Sequence, residues 1–191
     1  MQRSYQDVIQ LFGKSGRILC PIISPTGVKT LFDTEQGMRN DPRFKLYPQW
    51  IQDQVSGLKS PIPAVQAALS QGNGGNGKMV MDVMRAGGLV VAGTDHPNAF
   101  DLHGELMAYV TAGMTPYEAL KTATVNSAKA LGLDAGSIEA GKLADIVMVE
   151  GNPLENIANA HKVKRVIANG RLFDMDDLLK DTYKEETRPP Q

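Results

Sequence analysis

The chain has 191 residues, enough for one domain or one and a half. A net charge of −1 offers no electrostatic case for nucleic acid or an anionic membrane surface. The single cysteine, Cys20, excludes an internal disulfide framework and a cysteine-based zinc finger; no apolar run is long enough for a transmembrane helix, and Met1 to Tyr5 lack the apolar core of a signal peptide. A soluble protein is expected, with cytoplasm and periplasm both left open.

Tyr5, Val8, Ile9, Leu11 and Phe12 recur at helical spacing and predict an amphipathic helix that stops near Gly13 and Gly16. Gly13-Lys14-Ser15 has the ending of a phosphate loop, but Val8 stands where that loop needs its first glycine. Ile18 to Ile23 reads as a short strand, with Pro21 an awkward fit in its middle. Residues 24–60 are polar and irregular, with a short helix expected between Tyr47 and Val55. Their aromatics, with Arg39, Arg43 and Lys45, could line a pocket or fasten an ordinary loop.

Ser60-Pro61-Ile62-Pro63 opens a predicted helix through Leu69. Gly72 to Gly77 then fits the spacing G-x-G-x-x-G, but a helix rather than a strand precedes it, so a flexible connection is the better reading than a dinucleotide site. Val80, Val83 and Met84 mark the apolar face of the next helix, ended by Gly87-Gly88. Leu89 to Gly93 follow without a charge and break off at Thr94-Asp95-His96. An apolar run bounded by glycines reads as a strand buried on both faces of a parallel sheet. Enzymes of α/β class place their chemistry at the carboxyl ends of such strands. Asp95 is therefore a candidate for catalysis or metal binding, or else the cap of the following helix.

Asp101 could cap a helix through Leu106, Tyr109 and Val110. Thr115-Pro116-Tyr117-Glu118 is a capping box with proline at the first helical position. Asn126 is expected to cap a further helix, Ser127 to Leu131, stopped by Gly132. From Leu133 the pattern turns to strands. Gly136 to Lys142 reads as strand and turn, Ile146 to Val149 as a strand, and Val163 to Phe173 as a hairpin about Asn169-Gly170. His161 reads as a surface histidine, and Asp145 as the residue that fixes a turn. Residues 176–191 are expected to fray.

Several motifs in order resemble the amidohydrolase superfamily, in its imidazolonepropionase-like and prolidase-like branch, whose members are often fused to propeller repeats. They are Ala92-Gly93-Thr94-Asp95, Leu102-His103-Gly104-Glu105-Leu106, Ala112-Gly113-Met114-Thr115-Pro116, Ala123-Thr124-Val125-Asn126-Ser127-Ala128, Gly136 to Asp145, Gly151-Asn152-Pro153-Leu154 and Val166 to Arg171. The resemblance implies an α/β fold: the C-terminal portion of a (β/α)8 TIM-type barrel in residues 1–133, and strands of a small β-sandwich in residues 134–175. It further implies a metal-dependent hydrolase of C–N bonds. Asp95 would end the eighth strand as both metal ligand and acid–base, with zinc or another divalent metal as cofactor.

His96 could contact substrate or be incidental; His103 is a candidate for substrate contact, and for it and Glu105 anchoring the helix and its loop is at least as good a reading. The family's centre also needs His-x-His after the first strand and further ligands. The chain has three histidines, none in that spacing and none before His96. A whole barrel takes about 250 residues. The expectation is thus a C-terminal piece that alone holds no metal and is inactive. Its partners would be a small amide or peptide substrate and the missing barrel half, with no nucleic acid or membrane. A non-catalytic, self-associating module is the alternative.

Overall fold

A computed structural model of the protein describes residues 2–23, 41–57, 77–94 and 99–180. Helix α1 (Gln2–Ser15) leads through Gly16 into strand β1 (Ile18–Leu19). A 3-10 turn (Pro42–Leu46) and α2 (Gln49–Ser56) follow, then α3 over residues 77–85 and strand β2 (Leu89–Val90). Next come α4 (Ala99–Thr111), α5 (Pro116–Ala123) and α6 (Val125–Leu131). Strand β3 (Ile146–Val149), a 3-10 turn (Ile157–His161), β4 (Val163–Ala168), β5 (Arg171–Asp174) and α7 (Met175–Lys180) complete the described elements.

The architecture is α/β. Strands β1 and β2 pair in parallel, with Ile18 opposite Leu89 and Leu19 opposite Val90. Val80, Met81 and Val83 of α3 are buried with Val90 of β2 and Leu106 and Tyr109 of α4. Met114, Ala119, Ile157 and Ala160 close the same core, which therefore gathers both halves of the described chain. Burying a side chain such as Val83 or Leu106 contributes about 1.5–3 kcal/mol. The second sheet is antiparallel, in the order β3-β4-β5. Its β4–β5 turn has positive φ at both Asn169 and Gly170, as a two-residue hairpin of matching twist requires. The Asp145 carboxylate accepts from the Asn169 N–H at 2.7 Å, the turn-fixing role expected for it.

Several local expectations change. Helix α1 continues through Gly13, where a Cβ would come within 2.6 Å of the Ala86 carbonyl oxygen; close approach, not helix termination, explains that glycine. Strand β1 stops at Leu19, because Pro21 has no N–H for a ladder and Ile22 turns to φ 45°. Asp101 lies inside the first turn of α4, buried, and not at a cap position. Thr124, not Asn126, precedes α6, which starts at Val125. Residues 136–142 form turns and bends without a strand. His161 is half-buried, its ring edge-on to His103. Residues 175–180, at the start of the expected tail, form α7, which packs on β4, β5 and the Pro42–Leu46 turn. The predicted helix after Ser60, Gly72 to Asn76 of the glycine cluster, and residues 181–191 lie outside the described residues.

Candidate functional site

Strands β1 and β2 run side by side and end together. The chain leaves β2 as Val91-Ala92-Gly93-Thr94, and this exit is clamped from several sides. The Val91 N–H donates to the Leu19 carbonyl at 3.0 Å, a bond of the parallel ladder that pairs Leu19 with Val90. The Tyr109 hydroxyl of α4 donates to the Val91 carbonyl at 3.3 Å. The Asn126 Nδ2 of α6 donates to the Val90 carbonyl at 2.8 Å. The Ala92 N–H donates to the Thr122 carbonyl at 3.0 Å, and the Ser127 hydroxyl donates to the same carbonyl at 2.7 Å. A Cβ on Gly93 would sit 2.3 Å from the Cys20 Sγ, so only glycine lets the two strand ends lie this close.

The end of β1 is held from the same helix. Glu105, almost wholly buried, accepts the Ile23 N–H on Oε1 at 2.8 Å. Burial pushes the Tyr109 hydroxyl far up, and the neighbouring Glu105 carboxylate pushes it further, so Tyr109 stays a neutral donor. Glu105 thus ties α4 to the chain beyond β1. The exit from β2 is thus restrained at several points, and Asp95 is the residue that follows it in the sequence. Asp95 and His96 both lie outside the described residues.

His103 belongs to a second constellation. From α4 its ring meets that of His161 edge-on, with centroids 6.3 Å apart. His161 Nδ1 lies 2.6 Å from the Ala158 carbonyl oxygen. Arg43 reaches in from the first 3-10 turn, donating to the His161 carbonyl and pairing with the Asp41 carboxylate. Burial alone would raise the Asp41 pKa, but the Arg43 hydrogen bonds and charge outweigh it and hold that carboxyl below its ordinary value. The His103 pKa is lowered as well, which for an imidazole favours the neutral form. Burial, then the charges of His161 and Arg43, push its pKa down to about 4, against a smaller upward pull from Asp41. Its buried Nδ1 has no hydrogen-bond partner among the described residues. The neutral ring packs from α4 against the second 3-10 turn.

Among the described residues no group of three or more His, Cys, Asp or Glu side chains is placed to hold a metal ion. These residues therefore do not by themselves fit the divalent metal that the motifs imply. No described helix is long and apolar enough to cross a membrane.

Sequence reasoning placed the strand and its exit but missed the clamps. Asn126 read as a helix cap because asparagine is common there. The side chain of Thr124, which precedes α6, makes no cap hydrogen bond either; its hydroxyl donates to the Leu120 carbonyl at 2.9 Å.

Residues 74–173, just over half of the chain, match the amidohydrolase family. Over 81 residues the sequence is 41% identical to adenine deaminase of Methanosphaera stadtmanae, covering 42% of this chain and 13% of that one. Over 88 residues it is 38% identical to imidazolonepropionase of Deinococcus radiodurans, covering 43% of this chain and 21% of that one. The crystal structure of a Xaa-Pro dipeptidase with bound methionine in the active site shares the fold, with a TM-score of 0.59 at 24% identity. That likeness covers 88% of this chain and 37% of the dipeptidase. The chain thus spans about a fifth or less of these two curated relatives. With the match running from the approach to α3 through β2, the clamping helices and the antiparallel sheet, the chain belongs to the amidohydrolase family.

Proposed function

We propose that the chain forms part of a metal-dependent hydrolase of C–N bonds, with Asp95 as its contribution to the active site. In this reading residues 1–133 are the last strands and helices of a (β/α)8 barrel, β1 and β2 being the seventh and eighth strands. Residues 134–175 supply strands of a small β-sandwich. The observation that carries the reading is the clamped, parallel end of β1 and β2, which leads straight into Asp95 within the family match.

The chemistry follows from that position. A carboxylate at the strand end takes a proton from the water that attacks the amide carbonyl carbon. When the C–N bond breaks, the same carboxyl group returns the proton to the leaving nitrogen. A divalent metal such as zinc would make that water acidic enough to react at neutral pH. Asp95 would be its ligand from this chain, and the remaining ligands would come from another part of the barrel, since the three histidines here include no His-x-His. His96, the next residue in the sequence, is the candidate for substrate contact. Dipeptides, N-acyl amino acids and cyclic amides are the substrates to try.

The 191-residue chain alone is then expected to hold no stoichiometric zinc and to hydrolyse none of these compounds. Metal analysis and a hydrolysis panel on the purified chain test this, and stoichiometric zinc with turnover overturns it. A second reading, a self-associating structural module, draws on Ile138, Val147 and Leu172, apolar side chains more than half exposed. A metal-free homo-oligomer that stays inactive when the His-x-His portion of the barrel is supplied favours this second reading.

A further inference from the structure

Backbone polarity in a strand alternates, so the N–H and C=O of one residue face one edge and those of its neighbour face the other. Val91 faces β1, because its N–H donates to Leu19. Val90 and Ala92 therefore face the outer edge of β2, where a further strand would pair. Both already have partners there. The Asn126 side chain occupies the Val90 carbonyl, and the Thr122 carbonyl occupies the Ala92 N–H. The two partners come from consecutive helices, α5 and α6. They meet at Thr124, whose φ −124° and ψ −96° turn the chain between them.

We propose that Asn126 is a positioning residue that stands in for a neighbouring strand on the outer edge of β2 and so fixes the direction in which the chain leaves that strand. A side-chain amide suits the task because it presents an N–H donor, as a strand would, without offering an edge of its own. Unpartnered edges invite pairing with other chains, and a side chain that fills one position blocks that. A sheet that grows on this side must pair beyond the Ala92 N–H, toward the carboxyl end of the strand. The importance of Asp95 rests on the proposed function; the edge contact does not.

The test is residue-resolved amide hydrogen exchange on the full chain, with Asn126→Asp as the main variant. Aspartate has the same shape, but at pH 7 its carboxylate cannot donate. Exchange at Val91 and Ala92 is expected to quicken about tenfold relative to the wild type, while Leu106 and Tyr109 in α4 keep their rates. Near pH 4, where a carboxyl group regains its proton, protection relative to wild type at the same pH is expected to return in part. A purely structural asparagine would show no such pH-dependent rescue.

Equal acceleration of all core amides, or unchanged rates at Val91 and Ala92, overturns the proposal. Should the variant not fold, the wild-type Asn126 side-chain protons decide. Slow exchange of the Nδ2 protons supports the contact, and exchange at the rate of a free amide overturns it. If the exchange results hold while Asp95→Asn stays fully active in the assembled enzyme, the edge role stands and the catalytic reading falls.

Discussion

His103 makes the chain acid-sensitive through one buried ring. Its pKa falls from an ordinary 6.5 to about 4, because burial and then the charges of His161 and Arg43 disfavour the cation. Between those two values the unfolded chain binds the proton and the folded chain does not. Stability therefore falls as pH drops through 6.5, and the loss is complete once pH passes below about 4. At about 1.4 kcal/mol per pH step, the full effect is about 3 kcal/mol, of which about 2 kcal/mol is felt by pH 5. Methionine at this position removes the titrating group and leaves no orphaned ring nitrogen.

Urea unfolding of wild type and His103→Met at pH 7 and pH 5 measures the difference. Wild type is expected to lose about 2 kcal/mol more than the variant over that interval. Direct titration of the His103 ring by NMR gives the same answer independently. Equal losses in the two proteins, or a ring that titrates near 6.5, would refute the reasoning.

Other changes probe the clamps. Glu105→Ala leaves the buried Ile23 N–H without its acceptor and opens a cavity, a loss of about 2–4 kcal/mol in chemical denaturation. Glu105→Gln keeps an acceptor oxygen and is expected to cost less. Gly93→Ala drives a methyl group into the Cys20 Sγ and is expected to cost about 1–3 kcal/mol. Adding Cys20→Ala should recover part of that cost, and strict additivity in the double-mutant cycle would contradict the contact. Thr115→Ala removes one half of the capping box that starts α5, at about 1 kcal/mol read from the thermal midpoint.

Periodic and stereochemical signals carried well from sequence to structure. The Thr115-Pro116 start of α5, the left-handed stop at Gly132 and the Asn169-Gly170 hairpin are each set by a local rule, and each stands in the structure. The pairing of β1 with β2 follows the same way, from two short apolar runs with a helix before each. Contacts distant in sequence were not legible. Glu105 to Ile23 spans 82 residues, Arg43 to His161 spans 118, and Asn126 to Val90 spans 36. No local pattern announces such bonds, because their partners are backbone groups that every residue carries. Gly136 to Lys142 misled in the opposite sense: its spacing suits a strand, yet the left-handed Gly136 and Gly141 turn the chain instead.

The most direct test joins this chain to the His-x-His portion of an amidohydrolase barrel and compares turnover of amide substrates with Asp95 and with Asp95→Asn, with metal content measured on both. The account predicts activity in the assembled enzyme and a loss of about a hundredfold or more in the variant. Equal turnover by the two proteins would contradict it.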